Sequence, residues 1–204
     1  MRNINKTLLI VGIICVIVII FCLGKYFHKY YVITKFQQKL NEIEESGNYK
    51  FKFGDIMYYV KDNIYVSENS SQMYQIADKN KDDKKAIIIG KDTYMEIEAP
   101  VFATPKAQFS ILSSNDKPTI WNIIKSIETS SLTTENIGNQ ECYKLFFRSE
   151  YNLNQTIYFN KKTYMPVAYE YDGQINYVEV TVGTVTDEDV SVDKIYEKVM
   201  ELPN

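Results

Sequence analysis

The chain has 204 residues, about one domain's worth once a membrane segment is set aside. Its 23 Lys+Arg against 26 Asp+Glu leave a formal charge of -3, which gives no electrostatic reason to expect nucleic acid. Three cysteines and one histidine remove most thiol, imidazole and metal chemistry, while 17 Tyr and 10 Phe beside a single Trp favour strands over helices.

Residues 8–24 read LLIVGIICVIVIIFCLG, without a charge or a strongly polar side chain. Such a run is about the minimum that spans a hydrocarbon core of ~30 Å as a helix. Arg2 and Lys6 precede it, Lys25, His28 and Lys29 follow, and Tyr26, Phe27, Tyr30 and Tyr31 stand where an interfacial aromatic belt would lie. A cleaved signal peptide needs a small-x-small site after the apolar run, and residues 21–25 offer none. An uncleaved anchor over residues 1–24 is therefore the first expectation. Lipidation at Cys22 comes second, because the bulky Phe21 precedes that cysteine. A long segment after one N-terminal anchor is commonly translocated, so residues 25–204 are expected to be an extracytoplasmic domain. Cys142 is alone in that domain and has no internal disulfide partner.

From residue 30 to 45 the positions Ile33, Phe36, Leu40 and Ile43 recur at helical spacing, and Ser46-Gly47-Asn48 stops the helix. Six short strands follow, at residues 49–53, 56–60, 64–68, 73–77, 86–89 and 93–98, separated by polar turns. Asp82-Asp83 falls in one of these tips. Pro118 opens a second predicted helix with Ile120, Trp121, Ile123, Ile124 and Ile127 on one stripe. Four more strands are expected at residues 141–148, 156–160, 166–171 and 174–182, with a hairpin at Asp172-Gly173. Asp187-Glu188-Asp189 then precedes a last helix, with Val192, Ile195, Tyr196 and Val199 facing inward. The fold class is mainly β, within α+β: a curved antiparallel sheet of about ten strands around helices.

Little catalytic equipment is present. His28, the one imidazole, sits beside the membrane helix, so nucleophile–histidine sites have no base in the domain. Cys142 lacks the second thiol or imidazole that zinc requires. Each glycine of the domain stands alone, so no phosphate loop is built. Asp187-Glu188-Asp189 lacks the glycine and ligand spacing of a calcium loop and suits a helix N-terminus better. A free strand cysteine is most often a small core residue. Tyrosines can line a ligand groove or simply fill strands. No catalytic residue, metal or cofactor is expected.

The second half nonetheless carries an ordered set of motifs. Gly138-x-x-Glu141-Cys142-Tyr143-Lys144-Leu145 comes first, then Ile157-Tyr158-Phe159-Asn160-Lys161 with Met165-Pro166-Val167. Tyr177-Val178-Glu179-Val180 and Val185-Thr186-Asp187-Glu188-Asp189-Val190 complete the succession. It resembles the LolA-like family of the lipoprotein-carrier fold, whose members are unclosed antiparallel half-barrels curved over helices. Within that family, a short Asn-, Lys-, Ile- and Tyr-rich chain with an N-terminal membrane segment is similar to clostridial spore-germination lipoproteins. That likeness implies a non-enzymatic accessory protein of spore-cortex modification, which binds and enables a cell-wall amidase in the forespore intermembrane space. The alternative is a carrier or sensor of lipids or lipoproteins that uses the concave face. The open sheet edges of such a half-barrel also admit a homodimer.

Overall fold

Alternating apolar and polar residues between short polar turns dictate strands, and strands dominate the computed structural model of the chain. It describes residues 2–82, 84–98, 100, 102–109, 130–148 and 154–201. The predicted helix at Pro118 lies outside the described residues, as does Asp83.

Two compact units are present, Met1–Lys35 and Phe36–Asn204. Helix α1 (Arg2–Glu45) supplies nearly all of the first and runs on into the second. It is the one described helix long and apolar enough to cross a membrane, with a mean hydropathy of 2.7 over its most apolar window. Ile10, Ile14, Ile17 and Phe21 are all exposed along it. An exposed apolar run of that length is compatible with a membrane anchor or a signal sequence. The helix ends where Gly47 takes a left-handed φ of +60° and the Ser46 hydroxyl donates to the Ile43 carbonyl at 2.6 Å.

The second unit is mainly β. A seven-stranded antiparallel sheet contains β1 (Asn48–Phe53), β2 (Ile56–Lys61), β3 (Ile64–Glu68), β4 (Tyr74–Asp78), β5 (Lys85–Gly90), β6 (Thr93–Glu98) and β12 (Glu179–Val182). Its order is β12-β1-β2-β3-β4-β5-β6. A five-stranded sheet holds β7 (Ser131–Ile137), β8 (Gln140–Arg148), β9 (Asn154–Asn160), β10 (Pro166–Tyr171) and β11 (Gln174–Tyr177), in the order β11-β10-β9-β8-β7. The described residues hold twelve strands rather than about ten, for two reasons. The polar strand β7 has too few apolar residues to announce itself. The expected strand at residues 174–182 is also divided: β11 pairs with β10, whereas β12 pairs with β1. Between them Val178 donates its N–H to the Val167 carbonyl at 2.8 Å, so backbone bonding carries across from one sheet to the other. Neither sheet is closed.

Register sorts the side chains of this unit into two faces. The inner face carries Tyr49, Phe51, Tyr58 and Val60, with Phe51 opposite Tyr58 and Tyr49 opposite Val60. Phe36, Leu40 and Ile43 of α1 are fully buried, at the helical spacing read from the sequence. A short helix α2 (Pro105–Phe109) runs beside them, opened by proline at a position where no N–H is needed. Glu44 of α1 accepts from the Thr104 hydroxyl and from the Lys106 N–H, and Gln37 donates to the Phe109 carbonyl.

The outer face carries Val66, Tyr74, Ile76 and Ile89, covered by Val185, Val190, Ile195 and Val199. The last two belong to α4 (Val192–Met200), which follows α3 (Asp187–Val190). Asp187, Glu188 and Asp189 precede the last helix, as expected, and with Val190 form the short helix α3 before it. One expectation for this region is corrected. Tyr196 does not face inward; it is 44% exposed and, with Met200, borders an open cleft at the β5–β6 turn rather than the core around Ile195 and Val199.

Candidate functional site

The inner face is where a carrier would hold a ligand, and its geometry bears directly on that use. Phe36 stacks on Phe159 of β9 with centroids 4.2 Å apart and planes 14° off parallel. Phe53 stacks on Tyr169 at 4.5 Å, and Phe109 stands edge-on to both Phe51 and Phe53 at 6.1 and 5.9 Å. Tyr143 adds a ring 5.6 Å from Phe159. These aromatic contacts occupy the face with the protein's own side chains, at spacings where rings attract. Part of the tyrosine and phenylalanine bias of the sequence is therefore spent on a core, while Tyr94, Tyr171, Tyr177 and Tyr196 remain exposed.

Beside α1, an open cleft of about 650 Å³ is lined by Lys39, Glu42, Ile43, Thr163, Met165 and Val182. A second, of about 470 Å³, lies between α4 and the β5–β6 turn and is lined by Gly90, Lys91, Asp92, Thr93, Tyr94, Tyr196 and Met200. Neither is a sealed hollow.

The outer face carries two polar clusters built from one pattern, a carboxylate that takes a tyrosine hydroxyl while a lysine closes over the ring. Glu68 accepts from the hydroxyls of Tyr74 at 2.5 Å and Tyr59 at 3.1 Å, and Lys198 donates to it at 3.4 Å. Lys198 also stands 5.1 Å over the Tyr74 ring. Burial, with Glu68 adding to it, pushes the phenols of Tyr59 and Tyr74 above the usual range. The Tyr74 hydroxyl in turn holds Lys198 above the ordinary lysine value. In the five-stranded sheet, Tyr158 donates to Glu170 at 2.8 Å, and Lys144 lies 5.3 Å over its ring while bridging Glu135 at 3.0 Å. Burial raises Tyr158; hydrogen bonding with Tyr158, then with Glu135, raises Lys144. Phenols and ammonium groups raised in this way stay protonated at neutral pH, and the hydrogen bonds of both clusters tie neighbouring elements together.

The residues singled out in the sequence are scattered. Cys22 is exposed on the apolar part of α1. Cys142 is fully buried beside Ile137, Tyr158 and Ala168, and burial pushes its thiol up, the opposite of activation. Asp189 and Thr186 form a reciprocal capping box, and Asp187 pairs with Lys61 at 2.5 Å. Asp82 accepts from the Lys84 N–H in its turn. Among the described residues no three His, Cys, Asp or Glu side chains gather as metal ligands would.

Sequence reasoning missed the margin of the seven-stranded sheet. There Tyr94 is 65% exposed beside Tyr196 and Met200, and Glu96 and Glu98 follow along β6. The alternation of residues 93–98 was visible; that β6 would be the last strand of its sheet was not.

No family model matches the chain, and no curated protein matches it.

Proposed function

We propose that the protein is a non-enzymatic, membrane-tethered binding module of the bacterial envelope. In this reading residues 1–24 anchor it, residues 25–204 form an extracytoplasmic LolA-like half-barrel, and its partner is a cell-wall amidase needed for spore-cortex modification. The family, the amidase and the forespore intermembrane space rest on the resemblance to the spore-germination lipoprotein GerS. What supports a binding module over a lipid carrier is the stacking of Phe36 on Phe159, with Phe51, Phe53, Phe109 and Tyr169 around it. A carrier leaves the corresponding face open for acyl chains, whereas here Phe36 and Phe109, both on helices, pack onto the inner face.

The test is co-elution of the full chain, held in phosphatidylcholine nanodiscs, with purified envelope amidases. A complex at micromolar concentration is expected, and its absence with every amidase overturns the reading. Native mass spectrometry of the chain from its own membrane decides the carrier alternative: one lipid or acyl peptide per chain, retained on the soluble unit, would replace the binding module with a carrier.

A further inference from the structure

Strand β6 ends the seven-stranded sheet, so one side of its backbone has no strand partner among the described residues. Soluble proteins blunt such an edge with proline, a bulge or charged side chains on the strand. β6 has neither proline nor bulge: residues 93–98 read Thr-Tyr-Met-Glu-Ile-Glu, and its pairing with β5 is unbroken from Thr93 to Glu98. Its charges are Glu96 and Glu98 alone, both acidic, so they repel an acidic strand and admit a basic one.

The two faces of this edge differ in chemistry. Tyr94, Glu96 and Glu98 share the outer face, because they pair with Ile89, Ile87 and Lys85 in turn. Lys85 bridges Glu96 at 3.0 Å, so one lysine stands against two exposed carboxylates. The inner face offers Met95, half exposed, and Ile97. At the start of the strand, Tyr94, Tyr196 and Met200 surround the open cleft of about 470 Å³.

We propose that the β6 edge is a strand-addition site for an extended segment of a partner protein, basic on the face that meets Glu96 and Glu98 and apolar on the face that meets Met95 and Ile97. Directly opposed side chains on neighbouring strands lie close enough that opposite charges attract and like charges repel. An incoming strand that places Lys or Arg against Glu96 and Glu98 adds positive charge to two carboxylates that share Lys85, and pairs the side of the backbone that has no strand partner among the described residues. The same charges argue against a second copy of this chain at this edge. Any antiparallel register of two β6 strands that continues the sheet opposes acids: Glu96 with itself, with Glu98 or with Asp92, Glu98 with itself, or Glu98 with Asp92. The cleft beside Tyr94 receives one apolar side chain from the end of the added strand.

This inference rests on the binding-module reading and is tested separately from it. The probe is a fluorescent eight-residue peptide of alternating lysine and valine, with its glutamate–valine counterpart, read by anisotropy against the full chain in phosphatidylcholine nanodiscs. Two further peptides carry N-methyl groups on one or the other alternate set of backbone nitrogens. The lysine peptide is expected to bind at least tenfold tighter than the glutamate one. One N-methylated form loses at least tenfold while the other binds like the parent, because only one set of N–H groups can face the sheet. Glu96→Lys with Glu98→Lys reverses the charge preference; both sites are exposed, and an unchanged circular dichroism spectrum verifies the fold. The proposal is overturned if the double variant keeps the wild-type preference, or if both N-methylated peptides bind like the parent. Amidase capture that the double variant leaves intact removes β6 as the docking edge and leaves the binding module standing. Peptide discrimination without amidase capture supports the edge and removes the amidase.

Discussion

Phe36, on the helix that leaves the apolar segment, lies face to face with Phe159 on the central strand of the five-stranded sheet, 4.2 Å between centroids. Both rings are fully buried, and Tyr143 and Tyr164 stand within 6.5 Å of Phe159. The contact fastens the C-terminal turns of α1 to strands more than a hundred residues away in the chain. Replacing Phe36 by Ala removes the stack and leaves a ring-sized void among rigid aromatic neighbours. The expected cost is about 3–5 kcal/mol. Phe36→Leu keeps most of the volume and costs clearly less. Urea unfolding followed by tyrosine fluorescence measures both; equal stability of Phe36→Ala and the parent would show that the helix end does not hold the sheet.

Asn48 performs a second act of fastening. Its side-chain amide donates to the Val185 carbonyl and accepts from the Val185 N–H, both at 3.0 Å, and its own carbonyl accepts from Gly183 at 2.8 Å. The first strand is thereby joined to the loop that leads into the C-terminal helices. Asn48→Ala leaves a part-buried donor and acceptor of Val185 without their partners, at a cost of about 1–3 kcal/mol. Amide exchange should quicken at residues 183–190 more than at β8 and β9. Uniform quickening across the unit would mean that Asn48 contributes only to global stability.

How much of this was legible follows from where each signal resides. Ile43, Leu40 and Phe36 announce the buried helical stripe because period is a local property, and each is buried. Asp172 and Gly173 mark a hairpin, and both take positive φ there, as a two-residue turn requires. β7 escaped notice because Ser131, Thr133, Thr134, Glu135 and Asn136 are polar and exposed at a sheet edge, where no apolar alternation is needed. The break at Val178 escaped because a strand that changes sheets keeps its alternation; only the partners, Ala168 opposite Tyr177 and Lys52 opposite Glu179, differ. Tyr196 misled because it lies within the angular width of the Val192–Val199 stripe, yet only Ile195 and Val199 reach full burial. The Tyr–Glu–Lys clusters depend on register across three strands, which spacing along one chain does not encode.

The cysteines give a prediction about the anchor. Cys142 is buried and its thiol is raised by that burial, so a water-soluble disulfide reagent should leave it unmodified in the folded chain and label it fully in denaturant. If residues 1–24 remain as a helix in lipid, the same reagent also spares Cys15 and Cys22, and the mass of the chain from its native membrane equals that of the unprocessed sequence. A mass increase of a diacylglyceryl group with loss of the preceding residues would assign Cys22 as a lipidation site instead. Cys22→Ala distinguishes the two again: membrane retention is expected to persist, and release into the soluble fraction would make lipid the anchor.

Alkaline pH should weaken this fold in a defined direction. Tyr49, Tyr58, Tyr59, Tyr74, Tyr158 and Tyr169 are all held above the ordinary phenol value, with burial the largest cause in every case. Glu68 adds to the rise at Tyr59 and Tyr74, and Glu170 adds to it at Tyr158. Below the unfolded value of about 10, folded and unfolded chains carry the same protons on these groups, and stability does not depend on them. Above it the unfolded phenols ionise while the native ones stay protonated, so the unfolded state binds fewer protons and stability falls as pH rises. Lys144 and Lys198, also raised, act in the same direction above about 10.5. A spectrophotometric titration of the phenols, read beside circular dichroism, checks this. The six raised phenols should appear only together with the loss of the β-sheet circular dichroism signal. Tyr59→Phe with Tyr74→Phe should shift the midpoint of that loss to higher pH, because two of the groups that drive it are gone. A midpoint that stays put, or six phenols that titrate while the sheet is intact, would remove these hydroxyls from the account of alkaline unfolding.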